Sequence, residues 1–155
     1  MKRILNFLIA DDNYEKRQDL SDLVSENFVE CNIDFSESFN STSKMLREQT
    51  YDLVLLDMSM PSFDPRDGKS KSPVKALAGK DLMLKMRYRG ISFPVIVVTQ
   101  FDIFGRHSDA VGIDKLVDDL RDDFPDNFIG CVFYNTQSKS WKQELLDMIS
   151  GVVNG

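Results

Sequence analysis

Short runs of branched apolar residues recur along the chain, and between them apolar positions return every three or four residues. The runs Ile4-Leu5-Asn6-Phe7-Leu8-Ile9-Ala10, Tyr51-Asp52-Leu53-Val54-Leu55-Leu56, Phe93 to Thr99 and Phe128 to Tyr134 are too brief for independent helices. They predict parallel strands buried on both faces, with Ile33-Asp34-Phe35 as a shorter fifth. Met60-Pro61 is expected to end the third strand, because proline has no amide to continue a ladder. The intervening segments read as helices. Asn13 caps one that carries Leu20, Leu23, Val24 and Phe28 at helical spacing, and Ser41 or Thr42 caps a short one with Met45 and Leu46. A third resumes near Gly79, buries Leu82, Met83 and Met86, and stops at Arg87-Tyr88-Arg89-Gly90. Ser108 caps a fourth with Ile113, Leu116, Val117, Leu120 and Phe124, and the last shows the stripe Trp141, Leu145, Met148, Ile149, Val152. Five strands alternating with helices predict an α/β fold, a doubly wound parallel sheet with helices on both faces. The expectation is a single domain over residues 1–155, interrupted by a long loop at about 62–78 that is rich in Pro, Ser, Lys and Arg.

Composition narrows the function classes. A net charge of −6 and a pI near 4.8 argue against a nucleic-acid partner, which needs a basic face. No apolar stretch approaches the ~20 residues of a membrane span, so no membrane insertion is expected. Met1-Lys2-Arg3 with its apolar run ends in Asp11-Asp12 without a small-residue cleavage site and is not read as a signal peptide. Cys31 and Cys131 lie far apart without metal-ligand spacing, which predicts buried reduced thiols and a cytoplasmic protein.

The candidate chemistry sits at the strand ends. In an open α/β sheet, ligands bind outside the carboxyl ends of the strands, where strand order reverses. The first run delivers Asp11-Asp12, the third Asp57, and the fourth ends in the hydroxyl of Thr99. If the first and third strands are neighbours, three carboxylates converge, an arrangement that is costly without a cation. Taken singly, Asp11, Asp12 and Asn13 are ordinary helix-capping residues; the three aspartates together point to an acidic metal pocket.

The acidic pair, Asp57-Met58-Ser59-Met60-Pro61 and Thr99, in that order at successive strand ends, resemble the receiver domain of two-component response regulators, to which the chemotaxis regulators belong. The resemblance covers essentially the whole chain. It implies a CheY-like, flavodoxin-like fold with strand order 2-1-3-4-5, carried over from the family. It further implies Mg²⁺ as cofactor, ligated by Asp12, Asp57 and the Ser59 carbonyl, with Asp11 acting through water. Asp57 would then be the phosphoacceptor and Thr99 the switch hydroxyl. The implied partners are a histidine kinase or phosphotransfer protein and a downstream protein. Hard oxygen ligands suit Mg²⁺, and an aspartate accepts a phosphoryl group once the charge is neutralised.

The chain also departs from that pattern. The strand-end lysine that pairs with the phosphoryl group in the family is replaced by Tyr134, which can donate a hydrogen bond but brings no fixed charge. Gln100 stands where the family has a very small residue, Cys131 aligns where a moving aromatic is usual, and the 62–78 loop is expanded. Lys69, Lys71 or Lys75 of that loop is a candidate replacement cation, although a solvated docking loop is the blander reading. Lys139 is placed at the start of the last helix and His107 on the surface, and Trp141 and the methionines belong to core packing. The leading expectation is a stand-alone receiver in phosphorelay signalling that acts through protein contacts and is not an enzyme beyond its own modification. The alternative is a degenerate receiver that serves as a phosphorylation-independent interaction module. An aspartate-nucleophile phosphatase would carry a second acid two residues after Asp57, where this chain has Ser59.

Overall fold

A computed structural model describes residues 4–65, 72–100, 103–104 and 111–154. The central sheet is five-stranded and parallel: β1 (Leu5–Ala10), β2 (Cys31–Ser36), β3 (Leu53–Leu56), β6 (Val95–Thr99) and β9 (Phe128–Phe133). Their spatial order is β2-β1-β3-β6-β9, the flavodoxin-like order once the sheet strands alone are counted. The helices are α1 (Tyr14–Asn27), α2 (Phe39–Glu48), α3 (Ala78–Tyr88), α4 (Ile113–Asp123) and α5 (Ser140–Val153).

Alternation along the strands builds two cores. Leu8, Ala10, Val54, Leu56, Val95 and Val97 face α2, α3 and α4, where they meet Leu46, Leu82, Met86 and Leu120. Phe7, Ile9, Leu53, Leu55, Ile96 and Val98 face α1 and α5, against Leu20, Val24, Trp141, Leu145 and Ile149. Burial of both faces explains why β3 and β6 read as unbroken apolar runs. Each fully buried Leu or Ile contributes about 1.5–3 kcal/mol. Cys31 and Cys131 lie on strands at opposite edges of the sheet, free and half-buried rather than fully buried.

Asn13 caps α1 as its sequence predicts, its side chain accepting from the Lys16 amide at 3.0 Å. Gly90, at φ +70°, turns the chain out of α3 in the left-handed region that glycine tolerates. Other boundaries differ. The cap of α2 is Ser38, not Ser41 or Thr42; Ser38 and Ser41 form a reciprocal capping box that starts the helix at Phe39. The cap position of α4 is Gly112, four residues beyond the predicted Ser108, which lies outside the described residues, as does His107. Lys139 is the cap residue of α5.

The segment after Asp57 also differs from a plain loop. Met60–Pro61 (β4) pairs antiparallel with Val74–Lys75 (β5), so the two described ends of the expanded segment are fastened to each other. The Phe63 amide and carbonyl both bond the Ser72 hydroxyl, at 3.0 and 3.2 Å, and extend the fastening. The third strand ends at Leu56, before the Met60-Pro61 expected to end it, and Pro61 instead takes part in the β4–β5 pair. Residues 103–104 and 111–112 form a second small antiparallel pair, β7 and β8.

Candidate functional site

The sheet register sets the site. Ala10 pairs with Leu56 across β1 and β3, so Asp11 and Asp57 leave adjacent strands side by side, and the Asp57 amide donates to the Ala10 carbonyl at 2.9 Å. The chain leaves β1 toward β2 on one side, while β3 lies on the other. The two aspartates therefore stand at the reversal of strand order, where open α/β sheets bind their ligands. Asp12 follows at the solvent side.

Carboxylate oxygens of Asp11, Asp12 and Asp57 lie within 4.8 Å of one another. Asp11 and Asp57 are 1% and 5% exposed, and Asp11 Oδ1 accepts from the Asn13 amide at 2.9 Å. Asp11 Oδ2 and Asp57 Oδ1 are buried without an aligned hydrogen-bond donor. Converging hard oxygens, those of Asp11 and Asp57 buried, fit a divalent cation such as Mg²⁺.

The cation that the structure does place here is Lys16. Its side chain is 1% exposed, and its Nζ stands 2.6 Å from Asp11 Oδ2, 3.4 Å from Asp57 Oδ1 and 2.6 Å from the Val98 carbonyl. The two carboxylate contacts are buried ion pairs, and the same ammonium donates a hydrogen bond to the Val98 carbonyl. Burial is the larger influence on Asp57 and, with the charges of Asp11 and Asp12, outweighs the ammonium, so its carboxyl is raised from 3.8 to about 7. A divalent ion would reverse that balance.

Sequence reasoning missed Lys16, although its signal was present. It lies four, seven and eight residues before Leu20, Leu23 and Val24, in phase with the buried stripe of α1. A lysine at an apolar phase position, one turn after an acidic pair, is a candidate for a buried ion pair.

The remaining predicted residues fall as follows. Thr99 closes β6 and is fully buried. Ser59 donates its hydroxyl to the Ala76 carbonyl at 2.9 Å, tying the segment after Asp57 to the approach to α3. Gly79 lets α3 come close: a Cβ there would lie 2.9 Å from the Asp57 carbonyl oxygen. Lys75 turns elsewhere, pairing with Asp81 at 3.3 Å and standing 4.5 Å from the centre of the Phe39 ring. Lys69 and Lys71 lie outside the described residues.

No family model matches the chain. It is 38% identical over 148 residues to the Detocs response regulatory protein DtcB of Enterobacter cloacae strain JD6301, covering 94% of this chain and 99% of that protein. The chain belongs to the response regulator receiver family. Among solved structures it resembles a signal receiver domain from Pseudomonas fluorescens Pf-5 (TM-score 0.65, 16% identity, 98% of this chain and 96% of the other). It also resembles the phosphorylated cyanobacterial phytochrome response regulator RcpA (TM-score 0.67, 12% identity, 97% and 95%).

As a receiver, the chain is unusual at the end of β9. Tyr134 is buried, its hydroxyl donates to Asp19 Oδ2 at 2.5 Å, and its ring packs 4.9 Å from that of Trp141. Burial, then the bond to Asp19, pushes the phenol well above its ordinary range, so it remains a neutral donor. Its hydroxyl is thus committed to α1. No helix among the described residues is long and apolar enough to cross a membrane.

Proposed function

We propose that this receiver accepts a phosphoryl group on Asp57 from a histidine kinase or phosphotransfer protein, with Mg²⁺ held by Asp12, Asp57, the Ser59 carbonyl and, through water, Asp11. The observation that carries the reading is the convergence of the three carboxylates, two of them buried. When bound, the ion supplies neutralisation of the phosphoryl oxygens and of the acids. Asp57 presents its carboxylate at the strand ends as the nucleophile. Its P–O bond forms as the P–N bond of a phosphohistidine breaks, and the electron pair stays on the imidazole nitrogen, which solvent protonates. Thr99 offers its hydroxyl to a phosphoryl oxygen.

The protein acts through contacts and not through turnover of its own. Ile129 and Phe133, exposed on edge strand β9, give apolar footing for a downstream partner beside the last two helices. The compartment consistent with this role is the cytoplasm.

A second reading has its own observation: Lys16 already neutralises the acids, as a receiver that works without phosphorylation would require. Incubation with acetyl phosphate separates the two. A gain of one phosphoryl group in intact mass, dependent on Mg²⁺ and absent in Asp57→Asn, supports the acceptor. An unchanged mass at saturating Mg²⁺ supports the phosphorylation-independent module.

A further inference from the structure

We infer that Lys16, reaching up from the first turn of α1, is the cation that pairs with the phosphoryl group on Asp57, a charge the end of β9 does not provide. The inference rests on Asp57 as the acceptor and goes beyond it by naming the residue that stabilises the transferred group.

Three observations carry it. First, the ammonium is in contact with the group that would react: Nζ lies 3.4 Å from Asp57 Oδ1. Second, it has an anchor independent of the acids. The Val98 carbonyl holds it at 2.6 Å, one residue short of Thr99, so the positive charge stays in place when Asp57 changes its own. Third, Tyr134 is turned to Asp19, and Lys75 to Asp81 and Phe39, so among the described residues neither takes this place.

The position is also expensive to fill with a lysine. A Met or Leu in phase with Leu20 and Val24 would pack there without desolvating a charge. The transfer adds negative charge to a nearly enclosed site, where a fixed ammonium acts with little screening. The bonds exchanged are those of the acceptor reaction: P–N broken, P–O formed. Lys16 keeps all its protons and serves as a positioned charge, not as an acid.

A purely structural role would be to neutralise Asp11 and Asp57, so the test is made at saturating Mg²⁺, where the acids have another counter-charge. Wild type, Lys16→Met, Lys16→Arg and Asp57→Asn are compared for Mg²⁺ affinity by calorimetry, for beryllofluoride affinity, and for the initial rate of mass gain with acetyl phosphate. Lys16→Met is expected to bind Mg²⁺ alone at least as tightly as wild type, because a competing cation is gone. It should bind beryllofluoride, a phosphoryl stand-in, on the order of 100-fold more weakly and be modified correspondingly more slowly, the size of effect seen when a donor to developing charge is removed. Lys16→Arg should recover part of both. Wild-type beryllofluoride affinity and rate in Lys16→Met would overturn the inference and leave Asp57 as acceptor. A mass gain that persists in Asp57→Asn would instead overturn the acceptor reading. If Lys16→Met does not melt cooperatively, Lys16→Gln, which is neutral but able to bond the Val98 carbonyl, is scored by the same criteria.

Discussion

The two flanks of α1 handle an acid in opposite ways. On the β1–β3 side, Asp11 is 1% exposed and is met by an ammonium from its own following helix. On the β9 side, Asp19 is met by a neutral phenol, Tyr134, backed by Trp141. The first flank concentrates charge at the reversal of strand order; the second converts a strand end into a hydrogen-bonded buttress. The contrast teaches that a positive charge beside Asp57 is a property of the folded site, not of one place in the sequence. In this chain α1 supplies it, and the end of β9 is released to structural work.

Removing the acid on each flank should have unequal consequences. Asp11→Asn, without divalent ions, should lower unfolding free energy by about 3 kcal/mol, because it strips the buried ammonium of its nearest partner. Asp19→Asn, measured in the same denaturant titration, should cost only about 1 kcal/mol. Equal losses would break the distinction between a charged and a neutral flank.

The pH dependence should follow the same divide. The folded-state pKa of Asp57 is raised to about 7, so the native protein holds its proton more tightly than the unfolded chain does. That contribution to stability is complete below the unfolded value near 4 and is lost as pH rises toward and through about 7. Melting temperature in chelator should therefore fall over that window. Asp57→Asn should lose this slope, and Mg²⁺, which favours the ionised carboxylate, should flatten it in wild type. An identical slope in the variant would assign the effect to other groups.

Smaller effects are expected on the buttress and the β4–β5 pair. Tyr134→Phe removes the bond to Asp19 but keeps the ring against Trp141, for a loss of about 1 kcal/mol with no change in the rate of Asp57 modification. A slowed modification would bring the phenol into the reaction. Lys75→Ala should change stability by less than about 0.5 kcal/mol, since its partner Asp81 is exposed, and should leave modification untouched.

Much of the fold was legible because local signals agreed with it. The all-apolar runs of β3 and β6 can be satisfied only with both faces covered, Asn13 has one helix to cap, and Gly90 meets the left-handed turn after α3. Boundaries were missed where the sequence offers several equivalent capping oxygens: Ser38, Ser41 and Thr42 all cap well, and only the reciprocal Ser38–Ser41 bonding selects among them. The β4–β5 pairing was hidden because two residues make too short a strand for periodicity to register. The aspartates were readable as a cluster from their places at strand ends. Lys16 was passed over because a lysine on a helix reads as solvated, although its phase with Leu20, Leu23 and Val24 marks the face that α1 buries beside Asp11 and Asp57.

The most direct test locates the modification on the chain. After incubation with Mg²⁺ and a phosphodonor, an acyl phosphate is reduced by borohydride, which converts the modified aspartate to homoserine and marks its position in peptide mass spectra. The account predicts a single mark at Asp57 that chelation of Mg²⁺ removes. A mark at Asp11 or Asp12, or a chain left unmarked at saturating Mg²⁺ and donor, would contradict it.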